Sequence, residues 1–216
     1  GVQTCALPIS LYNVYETLTK INEDGSVSPL LAESWQASPD LKTYTFKLRK
    51  GIKFHNGEPF DSAAVKFSFD RAAAPTSTNK DKSLYQAFAS VTAPDPETVV
   101  VALKYSEPNL PFLLGQATGS IVEPKSAPTD ATQPVGTGPY TLGSWAKGSS
   151  ITLVKWPDYR NAAAIKLAKV TIRFIGDPAA QVAALLSGDV DAFPRVAAAR
   201  SLAQFKADPR DRKSVV

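Results

Sequence analysis

A chain of 216 residues exceeds one typical domain of about 100–200 residues, so it can bury a real core as one large unit or as two linked ones. An apolar fraction of 44% against 20% charged residues, with 10 Phe, 7 Tyr and 3 Trp, excludes wholesale disorder and a collagen-like fibre. The 24 basic and 20 acidic residues give a net charge of +4 and are mixed along the chain, which argues against a concentrated nucleic-acid footprint. No apolar run approaches the roughly 18 residues that a membrane-crossing helix needs.

Cys5 is the single cysteine and His55 the single histidine, too few for an internal disulfide or a dedicated zinc site, so no structural metal or cofactor is expected. Residues 1–10 lack the basic start and small-residue cleavage site of a signal peptide. Residues 210–216 interrupt the last helical pattern. Both stretches read as non-native tails and are set aside from the fold. Val2-Gln3-Thr4 before Cys5 are not the small apolar set that a lipid-anchoring cysteine would follow.

In chain order, an apolar-rich segment at 11–18 leads to Asp24-Gly25, a tight-turn pair that predicts a short hairpin. Residues 29–35 read as short helical or irregular structure, and Ser38-Pro39-Asp40 as a turn. From Thr43 the pattern alternates strictly, with Tyr44, Phe46 and Leu48 on one face of a half-buried strand. Ile52 and Phe54 continue it to a turn at Asn56-Gly57. A helix then opens with Asp61 as cap and Phe60 and Val65 as a hydrophobic staple; Val65, Phe69 and Ala72 line its buried side and Pro75 ends it.

Residues 83–89 read as weakly helical and 94–97 as a turn. The valine-rich run 98–105 reads as a strand needing cover on both faces. A short helix is predicted at 108–114 with Pro111 in its first turn, and a small strand at 121–122. The proline-rich stretch 123–139 is the candidate crossing between lobes. Strands follow at 140–142, 151–156 and 169–174. Asp177, Pro178 and Gly188 supply cap, first turn and left-handed exit of another helix with Val182, Leu185 and Leu186 inward. Residues 189–193 are then expected to return as a strand and complete a βαβ unit. A further amphipathic helix is predicted at 196–207.

Asp189 and Asp191 stand two apart, so on a strand they would share a face, but an acid–base pair is the rarer outcome there than a hydrogen-bonded strand edge. His55 beside a turn, without a Gly-x-Ser-x-Gly elbow, reads as a hydrogen-bonded structural residue rather than a triad base. Val135-Gly136-Thr137-Gly138-Pro139-Tyr140 lacks a P-loop lysine and a following helix. Its glycines instead predict a sharp turn and a close approach to another backbone. The aromatics interleaved with lysines at 46–54 fall on the buried face of their strand, against a single-stranded nucleic-acid platform.

Leu30-Leu31-Ala32-Glu33-Ser34-Trp35, the stretch from Tyr44 through Lys50-Gly51-Ile52-Lys53-Phe54-His55-Asn56-Gly57, and Pro59-Phe60 with Ala64-Val65 and Phe67-Ser68-Phe69 together resemble family 5 extracellular solute-binding proteins. These are the dipeptide, oligopeptide and nickel receptors of ABC importers. The 135–140 segment, residues 156–160 and Leu186-Ser187-Gly188-Asp189-Val190-Asp191 resemble later landmarks of that family in the same order. The resemblance implies an α/β fold: a periplasmic-binding-protein-like type II lobe with an additional small α+β domain, the second lobe missing. On that division the main lobe takes residues 11–30 and 124–193, the extra domain 31–123, and the truncated start of the second lobe 194–209.

The implied function is capture without catalysis: lobe closure around a small solute or peptide, then delivery to transmembrane permease subunits, by a monomeric periplasmic or cell-surface lipoprotein that does not bind nucleic acid. Nickel or a metal chelate is the alternative ligand, and a hydrolase on the same scaffold the alternative class. By analogy with the family, the pocket-facing residues are Tyr12, Asn13, Tyr85, the loop Thr118, Gly119 and Ser120, and Phe193 and Arg195 at the exit toward the second lobe. Arg195 would pair a ligand carboxylate. Trp35 and Trp145 are expected in the core and at the lobe interface.

Overall fold

The structure, a computed structural model, describes residues 12–193. The expected tails, Cys5, the helix at 196–207 and Arg195 lie outside the described residues. The hairpin at the start forms as expected, with β1 (Thr19–Ile21) antiparallel to β2 (Val27–Pro29) around Gly25.

Four strands make the larger sheet: β3 (Ala32–Ala37), β4 (Thr43–Leu48), β5 (Phe88–Asp95) and β6 (Thr98–Leu103), in the order β3-β4-β6-β5 with every pair antiparallel. Tyr44, Phe46 and Leu48 are buried on one face of β4, as their alternation predicts. β6 buries Val99, Val101 and Leu103, while Val100 and Ala102 stay half-exposed, so only one of its faces is packed.

Two strands depart from the sequence reading. Residues 29–35 do not form a helix, because Ala32–Ala37 pairs as the outer strand β3 through a register shift between Ala32 and Ser34. The helix at 83–89 is shorter and is followed directly by β5, whose Pro94 is tolerated because β5 is an edge strand.

Helix α1 (Ser62–Ala73) covers the buried face of this sheet. Asp61 accepts from the Ala64 N–H at 3.0 Å and so caps a free amide of the first turn. Phe60 and Val65, the two staple residues, are both buried. Ala74, ahead of Pro75, turns to ψ 147°, which stops the helix where proline forbids the helical conformation of its predecessor. α2 (Lys82–Gln86) brings Tyr85 against Phe69 and Phe88, with ring centroids 5.4–5.7 Å apart. α3 (Leu110–Leu114), with its early proline, seats Leu110 and Leu114 in the same core. Residues 121–122 are not a strand: Ile121 is buried and its N–H donates to the Glu16 carbonyl.

The second sheet is antiparallel, in the order β7 (Tyr140–Ala146), β8 (Ser150–Lys155) and β9 (Lys169–Arg173). α4 (Pro178–Ser187) has the cap, first-turn proline and Gly188 at φ 80° that its sequence predicts. Residues 189–193 do not return as a strand. The Val190 N–H bonds back to the Ala184 carbonyl of α4, and Asp189 and Asp191 are exposed, so no βαβ unit closes among the described residues.

Two apolar clusters result. The larger joins α1–α3 and the four-stranded sheet with Leu18, Leu31 and Ile121. The smaller joins Val14 and Tyr15 to Tyr140, Ile151 and Leu153 of the second sheet. Among the described residues no helix is long and apolar enough to cross a membrane.

Candidate functional site

Residues 14–18 run between the two clusters, Val14 and Tyr15 facing the smaller and Leu18 the larger, so every side chain from 14 to 18 is buried. That places the Glu16 carboxylate away from water, where it must be paired. Arg160 grips it bidentately, Nη2 to Oε1 and Nη1 to Oε2 at 2.6 Å each. The Tyr159 hydroxyl donates to Oε1 at 3.0 Å and the Thr137 hydroxyl to Oε2 at 2.9 Å. Both oxygens are therefore saturated by three residues from two separate parts of the chain, Thr137 and the adjacent pair Tyr159 and Arg160.

The strap at 135–140 lies on the same segment. Gly138 N–H donates to the Val14 carbonyl at 2.9 Å, and a Cβ on Gly138 would lie 2.6 Å from the Asn13 carbonyl oxygen. A Cβ on Gly136 would collide with the Val14 carbonyl. The close backbone approach expected from these glycines is present, and no phosphate is needed to explain it. On its other side the strap meets His55, whose ring lies edge-on to Trp156 with centroids 4.8 Å apart.

Tyr12 stands at the open end of this segment, 46% exposed, with its hydroxyl donating to the Gly115 carbonyl at 3.3 Å. Burial of part of its ring raises the hydroxyl pKa above the ordinary value. That bond brings Tyr12 beside the 117–119 turn, where Thr118 and Ser120 are half-buried. Gly119 is buried with no room for a side chain, its Cβ position lying 2.5 Å from the Leu114 carbonyl oxygen. The Thr118 hydroxyl donates to Asp81, and the Thr118 carbonyl accepts from Asn79 at 2.9 Å and from the Tyr85 hydroxyl at 3.0 Å.

Tyr85 is 1% exposed, and burial drives its pKa upward. It lies beneath the loop and fixes Thr118 from below rather than facing outward. The structure thus brings Tyr12, Asn13 and the 118–120 loop to one edge, with Phe193 half-buried at the end of the described residues.

Three features escaped the sequence reading. The Glu16 clasp pairs groups 144 residues apart, and no local spacing announces it. Glu123 accepts from the Lys125 and Ser126 amides and from Asn56; burial would raise its carboxyl pKa, but those donors win and hold it below the usual range. Asp130 pairs Arg71 at 2.9 Å through Oδ2, and burial raises its pKa against the opposing pulls of Arg71, Tyr15 and the Val135 backbone.

Trp145 is 40% exposed rather than in the core, with the Lys147 ammonium 5.7 Å from its ring centre. It lines an open groove of about 450 Å³ with His55 and Val135. Among the described residues no group of three or more His, Cys, Asp or Glu side chains converges as a metal site.

The model of the family "Bacterial extracellular solute-binding proteins, family 5 Middle" matches residues 26–215. The Glutathione-binding protein GsiB of Escherichia coli O1:K1 / APEC is 35% identical over 185 residues, 83% of this chain and 36% of that protein. The chain thus spans a little over a third of the length of that curated relative. The binding protein AgaA of A. tumefaciens R10, solved with agropinic acid, superposes with a TM-score of 0.88 at 31% identity over 97% of this chain and 42% of that one. NikZ of Campylobacter jejuni, solved with Ni(L-His), gives 0.83 at 26% identity over 92% of this chain and 40% of that one. The mixed α/β fold is that of the periplasmic binding proteins, covered in part. The chain belongs to the bacterial extracellular solute-binding proteins of family 5.

Proposed function

We propose that this chain is part of the solute-binding component of an ABC importer, which captures a peptide-like solute by lobe closure outside the cytoplasm and passes it to transmembrane permease subunits. The likeness to a glutathione-binding protein over most of the chain carries the reading. The geometry supports it. The polar groups of the clasp are spent on one another, and the edge formed by Tyr12 and the 118–120 loop is fixed by its own internal hydrogen bonds and by packed structure beneath it, a preorganised surface of the kind that binding without turnover needs.

In this reading Tyr12, Asn13 and the loop Thr118, Gly119 and Ser120 form one side of the solute cleft, with Tyr85 as the loop's support. Phe193 and Arg195 lead into the opposing side, where the Arg195 guanidinium meets a ligand carboxylate. The component acts as a monomer, located in the periplasm or anchored at the cell surface.

The likeness to a protein solved with Ni(L-His) favours a second reading, a metal chelate as cargo. Calorimetry of the full-length protein against glutathione, di- to oligopeptides, Ni²⁺ and nickel–histidine separates the two. Saturable single-site binding of a peptide, recovered chemically unchanged, is expected. Binding of the chelate alone would move the reading to metal uptake, and hydrolysis of bound peptide would replace it with an enzyme.

A further inference from the structure

His55 is held by its neighbours in one protonation state. Gly136 N–H can only donate, and it points at Nδ1 from 3.2 Å, so Nδ1 must accept. The ring proton then belongs on Nε2, which donates to the Gly138 carbonyl at 2.9 Å. The backbone adds a third bond, His55 N–H to the Gly136 carbonyl at 2.9 Å. One imidazole thus bridges two alternate residues of the strap, using its acceptor and its donor at once. A second proton would set Nδ1–H against Gly136 N–H, donor facing donor.

We propose that neutral His55 is an acid-sensitive latch: it holds the 135–140 strap, and through Gly138 the Val14 backbone next to the Tyr12–Asn13 edge, against the 54–58 hairpin, and its protonation loosens that hold. Of the three hydrogen bonds that tie His55 to the strap, the two made by the ring depend on its protonation state, while the backbone bond to the Gly136 carbonyl does not, so protonation loosens the link without severing it.

The charged groups around the ring leave it free to act in this way. On its own hairpin Glu58 is paired with Lys125 at 2.7 Å, Lys53 is exposed, and the Asn56 amide is spent on Glu123. On the strap the Tyr140 hydroxyl is bonded to the Leu167 carbonyl. The Trp156 indole packs T-shaped against the imidazole, with Asp158 exposed and Tyr159 and Arg160 engaged by Glu16. Lys147 lines the same groove, with its ammonium 5.7 Å from the centre of the Trp145 ring. Burial pushes the imidazole below its ordinary value, against smaller upward pulls from the Gly138 carbonyl and the Glu16 carboxylate. A histidine whose folded value is lowered contributes stability that is complete above the unfolded value of about 6.5 and lost as pH falls through the folded value.

The test needs no solute, so it stands or falls separately from the importer reading. In the full-length protein, the His55 ring is titrated by NMR, its signal assigned by loss in His55→Asn. Protection of the Gly136 amide against hydrogen exchange is measured at pH 7.5 and 5.0, with Val99 in the central sheet as control. His55 is expected to titrate below about 6.5, and Gly136 protection to fall about tenfold or more in acid while Val99 holds, one pK unit being a factor of ten. Asn offers Oδ1 to Gly136 without titrating, so His55→Asn is expected to abolish the acid dependence at Gly136. Titration at or above about 6.5, unchanged Gly136 protection, or the same acid loss in His55→Asn would each overturn the latch. If that variant does not fold, the ring titration and Gly136 exchange of the unsubstituted protein still decide the matter.

Discussion

Around α1, Val65 and Phe69 pack with Phe54, Phe46 and Leu114 in a continuous apolar cluster where each side chain has many partners and none is indispensable to the others' chemistry. Between that unit and the second sheet, buried polar contacts carry part of the join: Glu16 with Arg160, Tyr159 and Thr137, and His55 with Gly136 and Gly138. Loss in the first region is graded, because dispersion and hydrophobic burial scale with the atoms removed. In the second it is abrupt, since deleting one partner strands another buried polar group that water cannot reach.

The sharpest way to break this contrast is the clasp. Arg160→Leu is expected to destabilise the protein by about 3–5 kcal/mol, because it leaves the Glu16 carboxylate buried without its cation. Glu16→Leu with Arg160→Leu together is expected to recover part of that loss, since it strands no charge and leaves only the neutral Thr137 and Tyr159 hydroxyls without their acceptor. A double-mutant cycle by urea denaturation reads both, and additive single losses would remove the clasp's special status.

In the apolar unit, Phe69→Ala is expected to cost about 3–5 kcal/mol through the lost contacts with Tyr85 and Phe88 and the cavity left behind. Here a second substitution elsewhere in the cluster, such as Val99→Ala, is expected to add to the first rather than rescue it. The smallest effect belongs to the helix end. Asp61→Ala is expected to cost about 1 kcal/mol in the same denaturation measurement, because a single hydrogen bond, from the Ala64 N–H to the capping carboxylate, is lost.

Legibility in the sequence follows the same division. The β4 alternation, the α1 cap and staple, the α4 start and stop, and the tight approach of Gly136 and Gly138 were readable because each depends on side-chain period or backbone freedom within a few residues. β5 was missed because Pro94 and a weak alternation hide a strand whose edge position makes both acceptable. The return at 189–193 was misread because alternation can indicate an extended chain but not whether a neighbouring strand waits for it. Of the expected edge residues, Tyr12 and the 118–120 loop come together, whereas Tyr85 turned out to lie under the loop. An aromatic residue in a weak helix carries no local sign of which side the core is on.

The sequence by itself determined the family, the two apolar patterns and the punctuation of the main helices, since periodicity, capping and ordered motifs are properties of neighbouring residues. Only the tertiary structure decided that Glu16 meets Arg160 and that His55 closes on the strap. The physical reason is that a buried polar side chain must find its complement wherever the fold puts one, and that meeting is set by packing over long chain separations, which no local spacing records.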